Sequence, residues 1–152
     1  MIWGYLYIAL MTGSTLVVLR IGERESRTAI LTLFAASAFT LLGLYFSGTR
    51  FEVASLLVSS LDFLVLAIFL GHALVSKRYW TLCLPALQLI TCTTHVLKAF
   101  APEIIPRVYS AGQGFWAYPQ MLIILLAAIW AYQDRRARSR TQGARRDMEN
   151  MP

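Results

Sequence analysis

The chain has 152 residues, of which 57% are apolar and only 14% charged, with a formal net charge of +6. An average soluble domain has about 45–50% apolar and roughly a quarter charged residues; here the charges gather in short clusters, separated by stretches of 17 to 23 residues almost without charge. Disorder, collagen, a disulfide scaffold and an ordinary water-soluble enzyme are excluded on that arithmetic, which leaves an all-α, polytopic membrane protein.

A helix needs about 20 apolar residues to cross a hydrocarbon core of roughly 30 Å. Five segments meet that requirement: 1–19, 28–46, 53–75, 80–100 and 116–132. The first opens on Trp3, Tyr5 and Tyr7, side chains suited to a membrane–water interface. Its positive charges follow the apolar run, so it reads as a retained span and not as a cleavable leader. In the second, Ala36, Thr40, Gly43 and Ser47 recur at i, i+4, i+7 and i+11. Such a small-residue face lets helix backbones approach closely, and it is expected to pack against the protein's own helices.

The third segment holds one acid, Asp62, with Ser55 and Ser59 on the same face. The fourth is the most polar, diluted by Pro85, Gln88, Thr91, Thr93, Thr94, His95 and Lys98, and so requires protein neighbours on its polar side. Within it Gln88, Thr91, Cys92 and His95 fall at i, i+3, i+4 and i+7 and form one stripe. Residues 101–115 place Ile105, Val108, Tyr109, Gly112 and Phe115 at near-helical spacing after Pro106, which predicts an interfacial amphipathic piece. The alternative is an extension of the fifth helix kinked near Pro119. The fifth span is bracketed by Trp116 and Tyr118 at one end and Trp130 and Tyr132 at the other. A basic tail, 133–152, carries six arginines.

The connections alternate in basic content. Arg20, Arg24 and Arg27, then Lys77 and Arg78, then the six tail arginines fall on one side of a five-span chain, eleven of its fourteen Lys and Arg residues. The other side has Arg50, Lys98 and Arg107. The positive-inside rule therefore predicts an external N-terminus and a cytoplasmic C-terminus. The tail also attracts anionic membrane lipid. It lacks the folded basic surface or interleaved aromatics that nucleic acid would need, so no nucleic-acid partner is expected.

An ionisable residue inside a membrane is a functional candidate by default. Asp62 sits nine residues into its span, about 14 Å from the external end at 1.5 Å per residue. Running the third and fourth helices antiparallel puts Cys92 at the depth of Asp62, His95 one turn further out and Gln88 one turn deeper. Asp62, Gln88, Thr91, Cys92 and His95 thus form a candidate intramembrane polar cluster. It serves either as a proton, small-solute or head-group site or as a register-fixing hydrogen-bond network. Lys98, Glu103, Arg107, Tyr109, Gln113, Trp116 and Tyr118 lie beyond it and form a candidate external lid or partner surface.

Other chemistries find no residues. His72 and His95 differ in depth by roughly 18 Å in a 30 Å core, too far for one haem iron to take both. Cys83 and Cys92 are about 13 Å apart along one helix and cannot pair. No Cys-x-x-Cys, His-Glu-x-x-His, Walker or nucleophile-elbow motif is present. No metal site, catalytic set or cofactor is implied, and Asn150 as the single asparagine argues against most sugar sites.

The segments Arg78-Tyr79-Trp80, Gln88-Leu89-Ile90-Thr91, Thr94-His95, Ile105-Pro106-Arg107 and Gln113-Gly114-Phe115-Trp116-Ala117-Tyr118-Pro119 resemble a group of small, uncharacterised alphaproteobacterial multi-span membrane proteins. The likeness covers about the C-terminal half. It implies a bacterial inner membrane and brings no activity with it. The function expected on all these grounds is a non-enzymatic accessory or scaffold subunit of an inner-membrane assembly, working with a membrane-protein partner or as a homo-oligomer. The alternative is a small transporter or proton-translocating protein using Asp62 and His95. A membrane enzyme acting on lipid ranks third.

Overall fold

The structure, a computed structural model, describes residues 2–47, 51–100 and 115–149. Among them are five α-helices and one 3-10 turn, with no strand. The helices are α1 (Ile2–Ile21), α2 (Arg24–Ser47), α3 (Phe51–Val75), α4 (Cys83–Phe100) and α5 (Ala117–Glu149), with the 3-10 turn at Tyr79–Leu82. Two residues join α1 to α2, and three lead from α3 to the turn. Such short connections force consecutive helices antiparallel.

Four stretches are long and apolar enough to cross a membrane: Gly4–Ile21, Arg24–Gly43, Leu56–Val75 and Tyr79–Leu97. The polar fourth has the neighbours its composition demands. Of that stretch 39% is buried inside the bundle, against 17–22% in the other three. Its entry is 3-10 where a plain helix was expected, and α4 begins two residues before Pro85. The proline's missing N–H thereby falls among the first-turn groups that have no helical partner.

The fifth expected span departs from the other four. The apolar run of α5 lies between Gln120 and Gln133 and falls short of the same length and composition. It compensates by burial: Gln120, Met121, Ile124 and Ala128 are at 0–4% exposure, facing the other helices. Around the bundle α5 packs on α1, α2 and α4, so it closes the ring that α1 to α4 begin. Pro119 sits in its first turn, and Trp116 immediately before the helix is a turn; the expected segment upstream, 101–114, lies outside the described residues.

The basic tail continues α5 as helix to Glu149. Ala, Arg and Gln favour helix, and Arg138 pairs with Asp134 one turn back at 2.8 Å. Several hydroxyls inside the helices are satisfied locally. Thr15, Thr32, Ser60 and Thr93 each donate to the carbonyl four residues earlier.

The three basic regions meet at one end of the bundle. Arg78 binds Glu23 at 2.9 Å, which ties the second connection to the first. Arg135 of α5 donates to the carbonyl of Ile21. Next to that carbonyl the turn is tight: a Cβ on Gly22 would stand 2.5 Å from Val18 O and 2.6 Å from Ser26 Oγ. Only glycine fits there without a shift.

The apolar core occupies the half of the bundle nearer this basic end. Val18, Ala29, Ile30, Phe69, Leu84, Ile124 and Ala128 are at 0–1% exposure and form one cluster with Met11, Leu33, Val65 and Met121. Ala36, Thr40 and Gly43 of the small face of α2 turn toward the other helices. A Cβ on Gly43 would lie 3.8 Å from Leu57 of α3, and Ala36 and Thr40 line the cavity described next.

Candidate functional site

Helix α3 presents Asp62 to α4, and the two helices run antiparallel, so the carboxylate reaches residues one turn to either side. His95 Nε2 lies 2.7 Å from Asp62 Oδ2. On the other side Gln88 Nε2 donates to Asp62 Oδ1 at 3.0 Å and to the Asp62 carbonyl at 3.2 Å. The imidazole's second nitrogen, Nδ1, is 2.8 Å from Ser59 Oγ, one turn along α3. Gln120 of α5 donates to Gln88 Oε1 at 2.9 Å. The result is one hydrogen-bonded chain, Ser59–His95–Asp62–Gln88–Gln120, running across three helices.

Burial along the chain is uneven. His95, Gln88 and Gln120 are at 7%, 4% and 1% exposure. The side chain of Asp62 is 24% exposed, against 3% for that of His95. What Asp62 faces is a half-open cavity of about 200 Å³ between the helices. Every helix contributes to its wall: Tyr7, Thr40, Asp62, Thr91 and Gln120 are one lining residue from each. Val65 and Leu33 close it toward the apolar core.

Asp62, Gln88 and His95 of the sequence-derived cluster are therefore joined directly. Thr91 is buried at the cavity wall and Cys92 is buried behind it. Both cysteines are free thiols. Of the candidate lid, Glu103, Arg107, Tyr109 and Gln113 lie outside the described residues. Lys98 falls in the last turn of α4, and its side chain is likewise outside them, as is that of Ser55. Trp116 and Tyr118 are half-buried at the start of α5. His72, at the far end of α3, is remote from the cluster, and its Nε2 is buried without a hydrogen-bond partner.

Three wall residues escaped the sequence argument. Tyr7, expected at the interface beside Tyr5, differs from it: Tyr5 is 72% exposed. Tyr7 turns inward, its hydroxyl 2.7 Å from Ser37 Oγ and its ring edge-on to Tyr118 with centroids 5.6 Å apart. Gln120 carried a usable signal as the single amide within 116–132. Ser37 carried none, because a lone serine in a span normally bonds its own helix, and this one does so too, to Leu33 O.

Ser59, His95 and Asp62 have the membership of an acyl-transfer triad, and the geometry argues against that use. The serine sits in the middle of α3, where backbone N–H groups are taken by the helix and cannot form an oxyanion hole. The ring is also reversed, with Nδ1 and not Nε2 toward the serine. It is Asp62 that borders the cavity. What the arrangement offers is a carboxylate able to accept a hydrogen bond or a proton from a guest, beside an imidazole able to share that proton. Among the described residues no group of His, Cys, Asp and Glu has metal-binding spacing. Comparison with protein-family models, curated proteins and solved structures gives no match to this chain.

Proposed function

We propose that the protein is a small transporter or proton-coupled binding protein of a bacterial inner membrane, and that it takes a hydrogen-bonding guest at Asp62. The observation that carries this reading is the Asp62 carboxylate at the wall of a cavity built by all five helices, in contact with His95 at 2.7 Å. A carboxylate is costly within a membrane, and an amide would bridge Gln88 and His95 at lower cost. Its retention at a cavity is what proton exchange requires. The cavity is closed toward the basic end by the apolar core, as expected of one state of an alternating-access cycle or of a receptor open to one side.

The orientation belongs to the same proposal: five spans, external N-terminus, cytoplasmic C-terminus. Its support is the meeting of three basic regions at one end. A reporter fused after Pro152 is expected to behave as cytoplasmic.

A second reading, an accessory subunit of a larger membrane assembly, is favoured by one feature. An apolar groove of about 420 Å³ between α2 and α3, lined by Leu31, Ala35, Phe39, Leu61, Leu64 and Ile68, is wide enough for an apolar side chain from a neighbouring helix.

The two are separated by vesicles carrying the wild-type protein or Asp62→Asn, with proton movement followed by a pH-sensitive dye. The first reading expects proton flux in wild type and its loss in Asp62→Asn at equal protein level. Identical traces, together with a stoichiometric partner on native purification, would put the accessory reading in its place.

A further inference from the structure

Away from the polar cluster, the basic end of the bundle carries an open surface recess of about 360 Å³. It is lined by Arg20 and Ile21 of α1, Arg27 of α2, and Tyr132, Arg135, Arg136 and Ser139 of α5. Four arginines from three helices converge on it, and no acid lines it. Converging like charges repel one another, and an anion among them relieves that repulsion.

The acids of this end are placed elsewhere. Glu23 is held by Arg78 and Asp134 by Arg138, and Glu23, Glu25 and Asp134 border a separate cavity beside Trp80 and Trp130. Among the described residues none of the four arginines has a carboxylate within ion-pair distance. Two of the four are nevertheless held in place. Arg135 donates to the Ile21 carbonyl at the end of α1, and the Arg136 guanidinium stacks 5.4 Å from the centre of the Tyr132 ring.

The depth of the recess identifies the kind of anion. Ile21 ends the apolar stretch of α1, and Tyr132 ends that of α5. The site therefore stands at the level of lipid head groups, where long basic side chains reach out of the hydrocarbon. Guanidinium forks match phosphate oxygens two at a time, in a way lysine does not. Ser139 adds a hydroxyl to the same wall.

We infer that this recess binds the phosphate-bearing head group of an anionic phospholipid, with Arg20, Arg27, Arg135 and Arg136 as its ligands. Four positive charges suit a lipid with two phosphodiesters better than one with a single phosphodiester. The bound lipid adds to the Arg135 contact that ties α5 to the end of α1.

The test uses the full-length chain in detergent, with lipid retention read by native mass spectrometry. The probes are diphosphatidylglycerol, phosphatidylglycerol, phosphatidylcholine and inorganic phosphate. Retention is expected to fall in that order among the lipids, and Arg20→Gln with Arg136→Gln should weaken it by roughly 30-fold. Arg140→Gln with Arg145→Gln removes the same charge from α5 beyond the recess and should change it little. Arg20→Lys with Arg136→Lys, which keeps both charge and fold, should still lose part of the preference for the two-phosphate lipid. Equal retention of charged and neutral lipids, or equal loss in the distal control pair, would overturn the site. Displacement of the lipid by an equal concentration of inorganic phosphate would overturn the lipid assignment in favour of a free anion.

Discussion

Toward the basic end of the bundle, Val18, Ile30, Phe69, Leu84 and Ile124 pack at 0–1% exposure in one apolar cluster. One or two turns away the same five helices surround a cavity of about 200 Å³ with Tyr7, Thr40, Asp62, Gln88 and Gln120. The first cluster is close-packed and the second surrounds open space. A bundle needs a close-packed region to hold its helices in register, and dispersion between fitted side chains supplies it. A polar half adds cost in a membrane, and its hydrogen bonds are worth only about 0.6 kcal/mol each where measured. Stability accounts for the packed cluster, and the proposal assigns the polar one to function.

The largest effect is expected where packing is densest. Phe69→Ala should lower stability by about 3–5 kcal/mol, because the void left by a buried ring collapses only partly. Thermal unfolding in detergent, followed by loss of the monodisperse species, reads it. A loss below about 1 kcal/mol would mean that this half is not the close-packed region the comparison requires.

Gly22→Ala should cost about 1–3 kcal/mol, since its methyl would stand 2.5 Å from a backbone carbonyl that cannot step aside. The same unfolding assay checks it. Gln88→Leu comes next on the polar side. It leaves Asp62 Oδ1 and Gln120 without their shared partner and should cost about 1–3 kcal/mol. If Gln88→Leu raised stability, the network would not be closed as described.

The smallest stability change is expected for Asp62→Asn, within about 1 kcal/mol, because the amide keeps the size and most of the hydrogen bonding. Asp62→Leu should be worse, because it removes the carboxylate that His95 Nε2 and Gln88 Nε2 share. The contrast between these two variants separates the polarity of the side chain from its charge.

Much of this division is legible in the sequence where a helical period carries it. The stripe Gln88, Thr91, Cys92, His95 and the lone Asp62 specify a shared α3–α4 interface, because antiparallel helices match depth by arithmetic alone. The role of Tyr7 is not legible. An aromatic residue near a helix end serves an interface as well as an interior, and a rotation of α1 decides between them. Gln120 is an intermediate case, visible as an oddity in an apolar run but without a partner until the closing contact of α5 is known. The helical continuation of the tail depended on propensity and i,i+4 pairing, which an arginine-rich composition partly conceals. The candidate lid, 101–115, falls almost wholly outside the described residues.

The most direct test of the division is whether Asp62 exchanges its proton through the cavity. Infrared difference spectra of the purified protein, recorded across a reversible pH jump, isolate carboxyl bands from the rest of the protein. The account predicts a carboxyl band that responds reversibly to bulk pH, is absent in Asp62→Asn, and shifts when His95→Gln removes its partner. A spectrum in which Asp62→Asn and wild type respond alike would contradict it, and would assign the polar half to helix register alone.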